Sequence, residues 1–148
     1  MLRFLLDSLR GLAARRLPAH LRSGRRGEDI AYRHLSDLGY RIVARNYRSR
    51  ATKGETDLIG WDGDYLAFIE VKTRAGETFG RPEDAVDSAK RRHLIRAAKD
   101  YIRRAGVDHN RMRFDIVSVI LDGKKPQVRL LKGAFIDRDV PWSPGCFR

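Results

Sequence analysis

An α/β fold with a mixed central sheet of about five strands is what this sequence predicts. Three observations carry that expectation. Two strand-length apolar runs flank Asp62-Gly63, a dipeptide that signals a two-residue hairpin. Stretches of helical periodicity near Gly27–Leu38 and Ser88–Arg104 bracket that hairpin. The 148 residues, 42% of them hydrophobic, suit one domain with a real core and are too few for two ordinary ones.

The elements follow in order. Gly27–Leu38 reads as a helix buried through Ile30, Ala31, Leu35 and Leu38 and stopped by Gly39. Glu28 and Asp29 then occupy its first turn, where the helix dipole favours acids. Tyr40–Asn46 alternates as a strand with Tyr40, Ile42 and Ala44 on one face. Glu55–Trp61 and Tyr65–Thr73 form the hairpin. Ser88–Arg104 is a helix with Ser88 as its cap and Gly106 as its end. Its stripe is Leu94, Ile95, Ala98, Tyr101 and Ile102, and the opposite face is basic. Met112–Leu121 is a strongly apolar strand; after Asp122-Gly123, Gln127–Leu131 returns as a weaker one.

Three regions result: a basic helical N-terminal arm over 1–23, a domain over 24–137 and an irregular tail over 138–148. Met1 to Arg26 holds seven arginines against the single acid Asp7. In the whole chain, 31 Lys and Arg face 19 Asp and Glu, a net charge of +12. Such an excess favours a polyanion, through phosphate neutralisation and counterion release, and points to nucleic acid. One cysteine, Cys146, excludes an internal disulfide and a zinc-thiolate site, and suits a reducing cytoplasm. No apolar run approaches the roughly 20 residues of a membrane span. His20, His34, His93 and His109 lack ligand spacing.

The hairpin carries the chemistry. A turn made of Asp62-Gly63 pairs Trp61 with Asp64, Ile59 with Leu66, Asp57 with Phe68 and Glu55 with Glu70. Side chains alternate with a period of two, so Asp57, Phe68, Glu70 and Lys72 share a face. Asp57 and Glu70 become diagonal neighbours about 7–8 Å apart at the backbone. Carboxylates at that spacing can lean together on one hard cation. The simpler alternative is an ion pair of Lys72 with Glu70 or Asp57. It leaves the acids, Glu55 included, crowding one lysine, and like charges that close repel unless a cation lies between them. Mg²⁺ suits carboxylates and keeps its waters, with Mn²⁺ as the substitute. Lys72 beside such an ion could position a water, help deprotonate it, or stabilise developing negative charge.

The residues Gly54-Glu55-Thr56-Asp57-Leu58-Ile59 and Phe68-Ile69-Glu70-Val71-Lys72-Thr73-Arg74 resemble the PD-(D/E)XK nuclease superfamily. Within it the chain is similar to the YraN family, itself similar to Holliday-junction resolvases. The likeness extends over Gly27-Glu28-Asp29-Ile30-Ala31, Ala44-Arg45-Asn46-Tyr47, Arg113-Phe114-Asp115-Ile116-Val117 and Lys132-Gly133-Ala134-Phe135. It implies a restriction-endonuclease-like core flanked by helices and Mg²⁺-dependent DNA cleavage. Asp57 and Glu70, with Val71 between Glu70 and Lys72, match the metal positions, and Lys72 the catalytic lysine. Glu28 matches an acid that related resolvases use near the metal; its alternative is the dipole partner named above. Thr56 departs from the usual Ile, and Arg91 from an expected Gln, although an Arg there could hold phosphate.

The function expected is thus a metal-dependent endonuclease on DNA, including branched or structured DNA. The alternative is a nucleic-acid-binding module that kept the fold and cuts nothing. Arg45, Arg48, Arg50, Lys53, Arg74 and Arg91 are the expected DNA contacts. The resemblance also allows a homodimer.

Overall fold

A computed structural model describes residues 18–50, 53–76, 86–123 and 125–137. The tail over 138–148, with Cys146, and the arm over 1–17 lie outside the described residues. The elements are α1 (Ala19–Asp37), β1 (Arg41–Arg48), β2 (Glu55–Asp62), β3 (Tyr65–Arg74), α2 (Ser88–Ala105), β4 (Met112–Ile120) and β5 (Gln127–Phe135). A short 3-10 turn, His109–Arg111, leads into β4. The five strands form one sheet in the order β1-β2-β3-β4-β5, parallel only between β3 and β4. The helix between those two strands is the crossover that a parallel pair requires. This is a mixed sheet flanked by two helices, as a restriction-endonuclease-like core demands.

Alternation along the strands builds two cores. Ile59, Leu66, Phe68, Phe114 and Ile116 pack with Leu94, Ala98 and Ile102 of α2. Leu58, Ala67, Ile69, Val117 and Val119 pack with Ala31 and Leu35 of α1. Every residue of β4 is consequently buried, which is why it reads as a continuous apolar run. On α2, Asp100 accepts from Ser49 Oγ at 2.8 Å and ties the end of β1 to the helix. That bond, with Arg103 and Arg104, holds its carboxyl down to about 2.

Several details differ from the sequence reading. Helix α1 begins at Ala19, not Gly27, and passes unbroken through Ser23–Gly27. Gly27 marks a close approach rather than a boundary: a Cβ there would lie 1.8 Å from Thr73 Oγ1. Strand β1 carries a bulge between Ile42 and Ala44. The extra residue turns Ala44 toward α2's core while Tyr40 and Ile42 stay on α1's side. The hairpin pairs Asp62 with Tyr65 and Ile59 with Phe68, two residues from the expected register. The turn is Gly63-Asp64, with Gly63 at φ +58°. A slip of two preserves side-chain parity, so the face assignments survive. The cap of α2 is Asp87, whose carboxylate accepts from Lys90 N at 2.8 Å; Ser88 is the first helical residue.

At the hairpin end of the sheet lies a buried ionic cluster. Arg113 meets Asp115 through two bonds of 2.8 Å, Asp62 at 2.7 Å and the Tyr40 hydroxyl at 2.9 Å. Asp115 also accepts from Gly133 N at 2.9 Å, and Lys132 donates to Asp62 at 2.8 Å. The irregular pairing of β5 opposite Phe114–Ile116 is thereby fixed. It carries the strand on to Phe135, which stacks on Phe114 at 4.7 Å.

Thr56 is fully buried, and its hydroxyl finds no hydrogen-bond partner among the described residues. An unpaired buried hydroxyl is a net cost. Thr56→Val, which keeps the shape, should raise stability by about 1 kcal/mol, read as a higher midpoint in urea unfolding.

Candidate active site

The site lies on the α2 side of the sheet, toward the C-terminal end of β3. Strand β3 is core up to Ile69 and then places Glu70 on the face that Phe68 occupies one step earlier. Glu70 is 4% exposed. Regular pairing of β2 with β3 ends at Leu58–Ile69. Just beyond, Val71 N donates to Asp57 Oδ2 at 2.7 Å. That bond fixes the Asp57 carboxylate beside Glu70, the two acids on one face as parity requires.

The two oxygens of Glu70 have different surroundings. Oε1 faces two ammonium groups, Lys90 Nζ at 3.4 Å and Lys72 Nζ at 3.7 Å. Oε2 is buried and has no hydrogen-bond partner among the described residues. Burial, first, and the Asp57 charge, second, push the Glu70 carboxyl up to about 7, against the two lysines. Burial also raises Asp57, against the Val71 bond and the Lys90 charge. The pair therefore retains protons that ordinary carboxyls would have released, as two acids forced together do.

The orphaned Oε2 beside a second carboxylate is the donor set a hard cation would complete. Among the described residues no cluster of three or more His, Cys, Asp or Glu is arranged to hold a metal. Two carboxylates plus water oxygens suit Mg²⁺ or Mn²⁺; a closed, all-protein zinc cage is not what they offer.

Glu28 lies nine residues into α1, which removes the helix-dipole alternative for it. Burial raises its pKa, and the charge of Asp57 adds to this, against a hydrogen bond from the Asn46 side chain. Asn46 has φ +50°, the one described non-glycine residue at positive φ. Glu28 and Glu55 help line a cavity of about 860 Å³ with Arg25, Arg45 and Arg48.

The expected DNA contacts fall into two groups. Arg50, Lys53 and Arg74 are exposed. Arg45 is paired with Asp29 and lies over the Tyr32 ring, and Arg48 pairs with Glu55 at 3.4 Å. Arg91 turns inward: its Nε donates to the Val86 carbonyl at 3.0 Å and its guanidinium lies over the Phe135 ring. The polar group that α2 does send to the site is Lys90, one residue earlier, which the sequence reading missed. A signal existed: Lys90 sits in the first turn of a helix, where the dipole disfavours a cation.

A family model described as "Uncharacterised protein family UPF0102" matches residues 27–119. A UPF0102 protein of Solibacter usitatus (strain Ellin6076) is 55% identical over 124 residues, 84% of this chain and 92% of that protein. One of Koribacter versatilis (strain Ellin345) is 50% identical over 119 residues, 80% of this chain and 82% of the other. A third, of Rhodococcus jostii (strain RHA1), is 43% identical over 117 residues, covering 78% and 98%. No helix among the described residues is long and apolar enough to cross a membrane.

Proposed function

The chain belongs to the uncharacterised protein family UPF0102, and we propose that it is a metal-dependent endonuclease hydrolysing phosphodiester bonds in DNA, structured DNA included. One observation carries the reading: a buried glutamate, with an oxygen unpartnered among the described residues, lies beside a second carboxylate and meets two ammonium groups. A pair so placed is costly as mere architecture, since buried charge calls for a compensating cation.

Asp57 and Glu70 would hold Mg²⁺ or Mn²⁺. When bound, such an ion makes water a better nucleophile and offsets charge on the scissile phosphate. Val71 N–H keeps Asp57 turned toward that position. Lys72, 38% exposed at its side chain, reaches from solvent to the pair. There its ammonium orients the attacking water and meets the charge that grows on the phosphoryl oxygens. The water oxygen bonds to phosphorus as its proton passes to solvent, one ester P–O bond breaks with its electron pair on the leaving oxygen, and that oxygen takes up a proton. The +12 chain supplies general attraction for the polyanion, to which the exposed Arg50, Lys53 and Arg74 contribute. Cleavage of labelled duplex, branched and single-stranded DNA with Mg²⁺, stopped by chelator, tests the reading; turnover that persists in chelator would exclude it.

A pH dependence follows from Glu70. In the cation-free protein burial pushes its carboxyl up to about 7, from the ordinary 4.5 that it recovers in the unfolded chain. The folded state thus binds the extra proton, and stability drops as pH rises from about 4.5 to about 7, then levels. Glu70→Gln abolishes that drop. In chelator at pH 8 it should be more stable than the parent by about 1–3 kcal/mol, the advantage vanishing near pH 4.5. A cation competes with the same proton, so Mg²⁺ affinity of the parent should fall as pH falls below about 7. Thermal melts and titration calorimetry read the two effects.

A further inference from the structure

We propose that Lys90 is a second catalytic lysine, whose ammonium holds a phosphoryl oxygen of the scissile phosphate opposite Lys72. The inference rests on the nuclease reading above and extends it to a residue outside the paired motif.

Lys90 approaches Glu70 Oε1 more closely than Lys72 does, 3.4 Å against 3.7 Å. Its charge also acts on Asp57, lowering that carboxyl against the effect of burial. Both lysine side chains are about a third exposed, 36% and 38%, and so present one side to solvent and the other to the acids. The backbone of Lys90 is pinned by the Asp87 cap, at the start of an 18-residue helix. A rigid mount is what a phosphate contact needs. The position is unfavourable for a cation on its own, since the helix dipole opposes it.

Charge neutrality says what the second lysine is for. Fully ionised, Asp57 and Glu70 are balanced by Lys72 and Lys90. A divalent cation leaves this four-residue cluster with an excess of two positive charges. A phosphodiester in its ground state carries one negative charge. The pentacovalent phosphorus formed as water attacks, with the water proton released to solvent, carries two. Within these four residues, one lysine matches the ground state and both match the transition state. Lys90 therefore contributes mainly to the chemical step and little to DNA affinity.

The test compares the parent with Lys90→Ala, Lys90→Arg and Lys72→Ala, measuring single-turnover cleavage at saturating Mg²⁺, DNA affinity in chelator and Mg²⁺ affinity by calorimetry. Lys90→Ala should cut roughly 100-fold more slowly. Its DNA affinity should change by less than about 3-fold, since one charge of many is lost. It should bind Mg²⁺ at least as tightly as the parent, because a neighbouring positive charge is gone. Lys90→Arg should recover much of the rate. If Lys90→Ala melts early, Lys90→Gln gives the same comparison with the side-chain stem retained. Lys90→Ala cutting at the parental rate while Lys72→Ala is inert would overturn the proposal and leave the nuclease reading standing. So would weaker Mg²⁺ binding with a rate restored by excess Mg²⁺, which would make Lys90 only a partner of Glu70. A parent that cuts no nucleic acid would remove both.

Discussion

Lys72→Ala should lower DNA cleavage by about 10³-fold or more while leaving the fold and most DNA affinity in place. The fold survives because Glu70 keeps its nearer ammonium, Lys90 at 3.4 Å. Affinity survives because one lysine is a small part of a surface with net charge +12. The reaction fails because the transferring phosphate needs that ammonium at one place. Asp57→Asn should also stop cleavage, by another route. The Asn side-chain oxygen can still accept from Val71 N–H, so the strand ends remain joined. A charged ligand is lost, however, and Mg²⁺ affinity falls first. Losing an acid also lowers repulsion toward phosphate, so cation-free DNA binding should hold or tighten. Mg²⁺ affinity, DNA affinity and cleavage measured on both variants separate these routes. If both still cut at the parental rate, the assignment of the site is wrong.

Arg113→Met should destabilise the domain by about 3–5 kcal/mol, enough to unfold a marginal protein. Arg113 is 9% exposed and Asp115 1%, and the guanidinium supplies Asp115 with two bonds of 2.8 Å. Its removal leaves a buried carboxylate with Gly133 N–H and the Tyr40 hydroxyl as its remaining donors. It also takes from Asp62 one of the two cations that hold its carboxyl low against burial. The double variant Arg113→Met/Asp115→Asn removes the stranded charge and should lose less than the single one. Urea unfolding of the two variants checks this. An Arg113→Met protein as stable as the parent would mean that the cluster is not coupled to folding.

Both results bear on how much the sequence disclosed. The face shared by Asp57, Glu70 and Lys72 was legible because alternation is a parity rule, and parity is unchanged by the two-residue error in the hairpin register. It was changed by the bulge between Ile42 and Ala44, which no composition signal announces, so Ala44 went to the wrong core. Gly27 read as punctuation, whereas it is a contact with Thr73, a residue 46 positions away. Strand β5 was cut short at Leu131, two residues before Gly133, which has φ +60°. In the fold, its N–H is held by Asp115 and the strand continues. Arg113 and Asp115 stood out as motif residues, but their joint partnership with Asp62, Tyr40 and Lys132 is a tertiary fact. Lys90 was hidden for the same reason: only the crossover of α2 brings it back over β3.

Whether the Asp57–Glu70 pair cuts DNA is decided by a single cleavage assay. Parent and Asp57→Asn proteins are incubated with a panel of four-way junction, flap, duplex and single-stranded DNA in Mg²⁺ or Mn²⁺, and new strand ends are counted. New ends are expected on at least one DNA with the parent, none with Asp57→Asn, and none with the parent in chelator. A parent that binds these DNAs yet produces no new end with either ion would contradict this and leave a binding module built on a nuclease fold.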